Sequence, residues 1–217
     1  MDGTQSLACR EDVLAQYCLI RASIQSVLRQ AVSRCRKPDF DRAAKHLDLW
    51  DQKQLEDGTV FDMLCDIALM EPNQRGRRVY DRFLEEGAVH LDDADQEIAR
   101  RMASASFSIF RVTGWHDAAG VWLDDLLVTE RRLWLVDAGL EASAPEGVTI
   151  AMRVFDAGPF HAGFGIVVIP DADLVEVCVA SATRDNPLPV RHSLAAALYG
   201  DEIALAALDD LDDISDV

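Results

Sequence analysis

Apolar positions in the first half of the chain recur at steps of three and four. Val13, Leu14, Tyr17, Cys18, Ile24, Val27, Leu28, Ala31 and Cys35 trace one face of a long amphipathic helix over residues 11–35, with Pro38 as its stop. Arg21, Gln25, Arg29 and Arg36 fall mostly on the other face. Phe40, Ala43, Ala44 and Leu47 predict a second helix over residues 39–50, and Asp57-Gly58 marks a break. Phe61, Leu64, Cys65, Ala68 and Leu69 predict a third, ended by Glu71-Pro72-Asn73. Val79, Tyr80, Phe83 and Leu84 predict a fourth, closed by Gly87. A fifth begins at Asp92-Asp93, with Gln96 three residues after Asp93 as in a capping box.

Near residue 105 the period falls from about 3.6 to 2. Residues 107–113, 121–126 and 133–136 read as strands. Val148, Ile150, Met152 and Val154 alternate with Thr149, Ala151 and Arg153, the pattern of a half-buried strand. Residues 160–168 alternate likewise, and Val175, Val177 and Val179 predict a sixth strand. Short strands joined by tight turns predict an antiparallel meander curled into a small barrel, because closure removes exposed edges. After Pro187 and Pro189, Ser193 caps a short helix through Tyr199. Residues 201–217 hold seven acidic and no basic residues, and form either a docked helix or a frayed tail. The expectation is an α+β protein: a helical region over 1–104, a small antiparallel β-barrel over 105–182 and a helical acidic C-terminus over 183–217.

Charge narrows the partners. The net charge is −17, of which residues 106–217 carry −13, from 6 basic and 19 acidic side chains. Nucleic-acid binding draws on basic patches, and an anionic membrane repels such a surface, so both are expected to be absent from the partners. The N-terminal MDGTQSLACRED lacks a basic segment followed by an apolar run, and residues 160–170 are too few to span a bilayer. Five widely spaced cysteines without a CxxC pattern predict reduced thiols and a cytoplasmic protein.

No segment carries a catalytic signature. Phosphate-cradling P-loop and GxGxxG patterns are absent, and Ser193 has no GxSxG elbow, so neither cofactor nor catalytic residue is assigned. In VWLDDLLVTERRLWLVD, Asp124 and Asp125 are adjacent, and adjacent strand residues point to opposite faces. They are expected to be splayed: one solvated, the other capping the turn or pairing with Arg131 or Arg132. His116-Asp117 sits in a loop between Gly114 and Gly120, a polar hairpin loop or the centre of a hydrolase site with Asp117, Asp124 or Asp125. A metal site assembled from His116, His161 and Cys178 is a third reading, although no two histidines stand at metal-helix spacing. Cys65 and Cys178 lie in apolar runs and read as small core residues. Trp115, Trp122 and Trp134 cluster with His116, and either mark a partner surface or stack across the hairpin.

The segments FDMLCDIALMEPNQRGRRVYDRFLEE, FSIFRVTGW, GVWLDDLLVTERRLWLVD and APEGVTIAMRV resemble a group of uncharacterised bacterial proteins, many of which carry a C-terminal SEC-C zinc motif. In that group, helices lead into a strand, an Asp-Leu-Leu hairpin and a Pro-Gly turn. Val128-Thr129-Glu130 replaces the expected glycine, and the SEC-C cysteines are absent, so the resemblance implies a fold and no zinc role. The leading expectation is a non-enzymatic module whose barrel contacts a protein partner through Trp115, His116, Trp122 and Trp134, with the long first helix over residues 11–35 supporting self-association.

Overall fold

The computed structural model describes residues 9–50, 52–182 and 193–215. Its helices are α1 (Arg10–Val32), α2 (Lys37–His46), α3 (Gly58–Met70), α4 (Val79–Glu86) and α5 (Asp93–Met102). The strands β1 (Ser106–Trp115), β2 (Val121–Asp125) and β3 (Arg132–Leu135) follow, then a short α6 (Ala138–Ser143). Then come β4 (Thr149–Asp156), β5 (His161–Val168), α7 (Ala172–Ala182) and α8 (Leu194–Ser215). This is a mixed α+β fold with N-terminal helices, a five-stranded sheet and a C-terminal helix.

Local chemistry sets the helix limits. Pro38 does not stop α1, which ends three residues short of the expected Cys35. Pro38 lies instead in the first turn of α2, where its missing N–H costs nothing. At α3 the Asp57 side chain accepts from the backbone N–H groups of Thr59 and Val60. At α5 the cap is Asp92, which accepts from Asp95 N at 2.8 Å, while Gln96 reaches back to donate to Leu91 O. Ser193 does cap α8, its hydroxyl accepting from Ala196 N at 3.1 Å. That helix runs unbroken to Ser215, so the separate short helix and acidic tail are one element. Pro187, Pro189 and His192 lie outside the described residues.

Three expectations about the sheet need correction. Val175–Val179 is not a strand but part of α7, whose buried residue is Cys178. The sheet is not a simple antiparallel meander either. Its order is β1-β2-β3-β5-β4, closing back on β1, and β3 meets β5 in parallel at Leu135 and His161. The chain passes from β3 through α6 to β4, which pairs with β1, and β5 returns to lie between β4 and β3. β4 also departs from the half-buried expectation: Ile150 to Phe155 are all buried.

That burial follows from the layers. Phe110, Val112, Val121, Leu123, Leu133, Leu135, Ile150, Met152 and Val154 fill the inside of the closed sheet, with Leu140 and Ala144 of the α6 region among them. Alternate β4 residues point outward to helices. Phe155 joins a core with Ile20, Ile24, Val27, Tyr80 and Met102 from α1, α4 and α5. Ala151 joins another with Ile67, Ala68 and Tyr199 from α3 and α8. A strand covered on both faces has no wet side, and period-2 alternation alone cannot reveal that.

Candidate functional site

The β2–β3 hairpin builds an aromatic ladder on its outer face. Trp122 and Trp134 are register partners. The loop ahead of β2 folds over them: His116 N donates to Gly120 O at 3.0 Å and Ala118 N donates to His116 Nδ1 at 3.1 Å. Gly120 has φ +82°, and a Cβ there would lie 2.1 Å from Leu135 O, so the close approach of loop to β3 requires glycine. The loop lays the imidazole of His116 parallel to Trp134, centroids 3.8 Å apart, and 5.2 Å from Trp122. The Arg132 guanidinium covers the other end, 4.8 Å above the Trp122 ring, and Phe160 meets Trp134 edge-on. Trp134 Nε1 donates to Ala119 O at 2.7 Å.

Trp115 stands apart, 52% exposed, its Nε1 donating to Glu141 O at 3.4 Å. Thus the structure joins His116 to Trp122 and Trp134 and leaves Trp115 on the surface. Trp122 and Trp134 lie opposite each other across the hairpin, as expected, but it is His116 that stacks on Trp134.

The hydrolase set does not come together. Asp124 and Asp125 are splayed: Asp124 is half-exposed and 3.6 Å from Arg132, whereas the Asp125 side chain is fully buried. Asp125 accepts from Ser108 Oγ at 2.7 Å, from Leu127 N and Val128 N, and from Arg131 at 3.2 Å. It organises the turn into β3, as a carboxylate with several donors does. Among the described residues no hydrogen bond or ion pair links His116 to Asp117, Asp124 or Asp125.

Neither do the metal candidates gather. Among the described residues no three His, Cys, Asp or Glu side chains are grouped so as to hold a metal ion. His161 begins β5 half-buried, and desolvation pulls its pKa below the usual value. Burial pushes the Cys65 thiol up to about 11, with further help from Asp62 and Asp66, and it pushes Cys178 up as well. Both therefore hold neutral thiols, as small core residues do.

Sequence reasoning missed a buried ion network. Arg153 faces outward from β4 into α3, where Nε and Nη2 donate to the two Asp66 oxygens at 2.9 Å each. Glu71 accepts from the same Nη2 at 3.2 Å, and Tyr199 Oη donates to Asp66 at 3.4 Å. The Phe107 ring lies under the guanidinium at 5.6 Å. Burial pulls the guanidinium pKa down, but Asp66, through its charge and its hydrogen bonds, together with Glu71 and Tyr199 outweighs it and the net direction is up. Burial, then the negative Asp66, push Tyr199 up as well. A usable signal existed: Asp66 is the lone charge in MLCDIALM, and Arg153 the lone charge in TIAMRVF.

Beside this network, α1, α3 and β5 leave a cleft of about 350 Å³ that reaches Asp66 and Gly165. No curated protein and no solved structure matches the chain. A family model does match, over residues 11–174, a span that holds the aromatic ladder, the Asp66–Arg153 pair and every wall of the cleft. The chain therefore belongs to the family of unknown function DUF7986.

Proposed function

We propose that the chain is a non-enzymatic interaction module of the cytoplasm. It recognises a positively charged segment of a protein partner through Trp115 and the ladder beside it. The observation that carries this reading is Trp115 itself: a large indole, 52% exposed, with its N–H tied to the backbone of α6. Such a held aromatic loses little freedom on binding, and tryptophan is among the residues that dominate interface energies. Charge gives the partner's sign, since residues 106–217 carry net −13. Arg132 over Trp122 is an internal example of the contact a partner's cation makes with an indole face.

The closed sheet serves as a small barrel that holds this face rigid. Five unpaired cysteines support a reducing compartment. Among the described residues no helix is long and apolar enough to cross a membrane, and neither a membrane nor a nucleic acid belongs to the proposed partners. The likeness to SEC-C-associated proteins supports a bacterial source and adds no zinc role.

Affinity capture with the wild type and with Trp115→Ala tests the reading. Proteins retained by the wild type, released by salt and lost from a Trp115→Ala chain of unchanged melting temperature support it. Equal retention by both chains, retention of nothing, or loss of a homodimer as the only effect rejects it.

A further inference from the structure

We infer that the cleft between α1, α3 and β5 is a binding site for a small organic monocarboxylate with an apolar body. Its volume, about 350 Å³, lies in the range of small-molecule sites. One wall is cationic. Arg21, Gln25 and Arg29 are spaced four residues apart on α1, which puts all three on one face, and all three line the cleft. Arg21 is half-buried, and among the described residues its guanidinium donates only to the Gly163 carbonyl, at 3.4 Å. The Arg29 side chain makes no hydrogen bond or ion pair among the described residues, its backbone carbonyl accepting from Ser33 N at the end of α1. Neither arginine is neutralised by a carboxylate, in a chain whose net charge is −17.

The remaining surface is mostly apolar, from Leu28, Phe61, Leu69 and Phe164. A carboxylate at the arginines with a hydrocarbon body over these side chains satisfies both chemistries. Two aspartates also line the cleft, and they do not reverse its sign. Asp66 is paired with Arg153 and Tyr199, and Asp62 is solvent-exposed, as Arg29 is, so water screens those two alike and the half-buried Arg21 carries the sign of the site. Gly165 keeps the inner end open. Its φ is +78°, and a Cβ would stand 3.4 Å from Tyr199 Oη and 3.6 Å from Asp66 Oδ1. The buried network thus forms a fixed end wall.

The site is separate from the Trp115 face, and its test is independent of it. Three probes share one phenylpropyl body: 3-phenylpropionate, 3-phenylpropanol and 3-phenylpropylammonium. Calorimetry or chemical-shift titration of the full chain is expected to give saturable binding of the carboxylate, roughly tenfold tighter than the alcohol. Arg21→Gln is expected to remove most of that preference and Arg29→Gln part of it. Trp115→Ala is expected to leave it unchanged. Arg29→Gln breaks no hydrogen bond of the fold, so it reads the charge even where Arg21→Gln disturbs folding. Absence of saturable carboxylate binding up to about 10 mM overturns the inference. So does binding of the alcohol or the ammonium as tight as that of the carboxylate, or a preference unmoved by both arginine variants.

Discussion

Arg153 and Asp66, 87 residues apart in sequence, meet through two parallel N–H···O bonds of 2.9 Å with both side chains almost wholly shielded from water. The pair joins β4 to α3, so the sheet and the helical layer are held by one bidentate contact as well as by packing. Breaking one partner strands a buried charge. Asp66→Leu and Arg153→Met are each expected to lower the unfolding free energy by about 3–5 kcal/mol. The double variant Asp66→Leu with Arg153→Met is expected to lose less than the sum. Urea denaturation of the three chains checks this through the coupling energy of the cycle.

The inside of the closed sheet tolerates volume but not charge. Met152 is 2% exposed among Phe110, Leu123 and Val154. Met152→Asp is expected to abolish cooperative unfolding. Met152→Leu, a volume-conserving exchange, is expected to cost under about 1.5 kcal/mol. Circular dichroism melts distinguish the two.

Neighbouring aspartates are expected to differ sharply. Asp124, half-exposed beside Arg132, contributes a surface ion pair, and Asp124→Asn is expected to change stability by no more than about 0.5 kcal/mol. Asp125 accepts from four donors within the fold. Asp125→Ala leaves buried groups unmatched and is expected to cost about 1–3 kcal/mol or more. Parallel melts of both variants measure the contrast.

Acidification is expected to act first through His161. Desolvation lowers its pKa in the folded chain below the ordinary 6.5, despite the opposing pull of Asp156. The unfolded chain therefore binds the proton more readily. Full stability is present above about pH 6.5 and is lost as pH falls towards the folded value. Melting temperature is expected to decline from pH 7 downwards, and His161→Gln is expected to flatten that slope. An equal slope in both chains contradicts the assignment.

The periodic elements were legible because burial and period agree in them. Ile24, Val27 and Ala31 on α1 sit at helical spacing and are fully buried, and Val121, Leu123 and Asp125 on β2 alternate with half-exposed Trp122 and Asp124. The splaying of Asp124 and Asp125 followed from the same alternation. The miss at 175–179 has a definite cause. Valines at alternate positions also fit a helix once Leu174, Val175 and Cys178 face inward, as they do. Nor does β4 announce its second buried face, because alanine at 151 and arginine at 153 read as surface until α3 covers them. The cleft depends on residues from α1, α3 and β5, the first and last of them more than a hundred positions apart, and no local pattern encodes such a meeting.

The ring of strands is unevenly fastened. β1 is tied to β2 and β4 along most of its length, but β3 touches β5 through the single register pair Leu135 and His161. Amide protons along that junction should therefore exchange with deuterium sooner than those of β1. When the molecule begins to come apart, β3 and β5 offer the first unpaired backbone to a neighbour, and misassembled material should carry intermolecular pairing at those two strands.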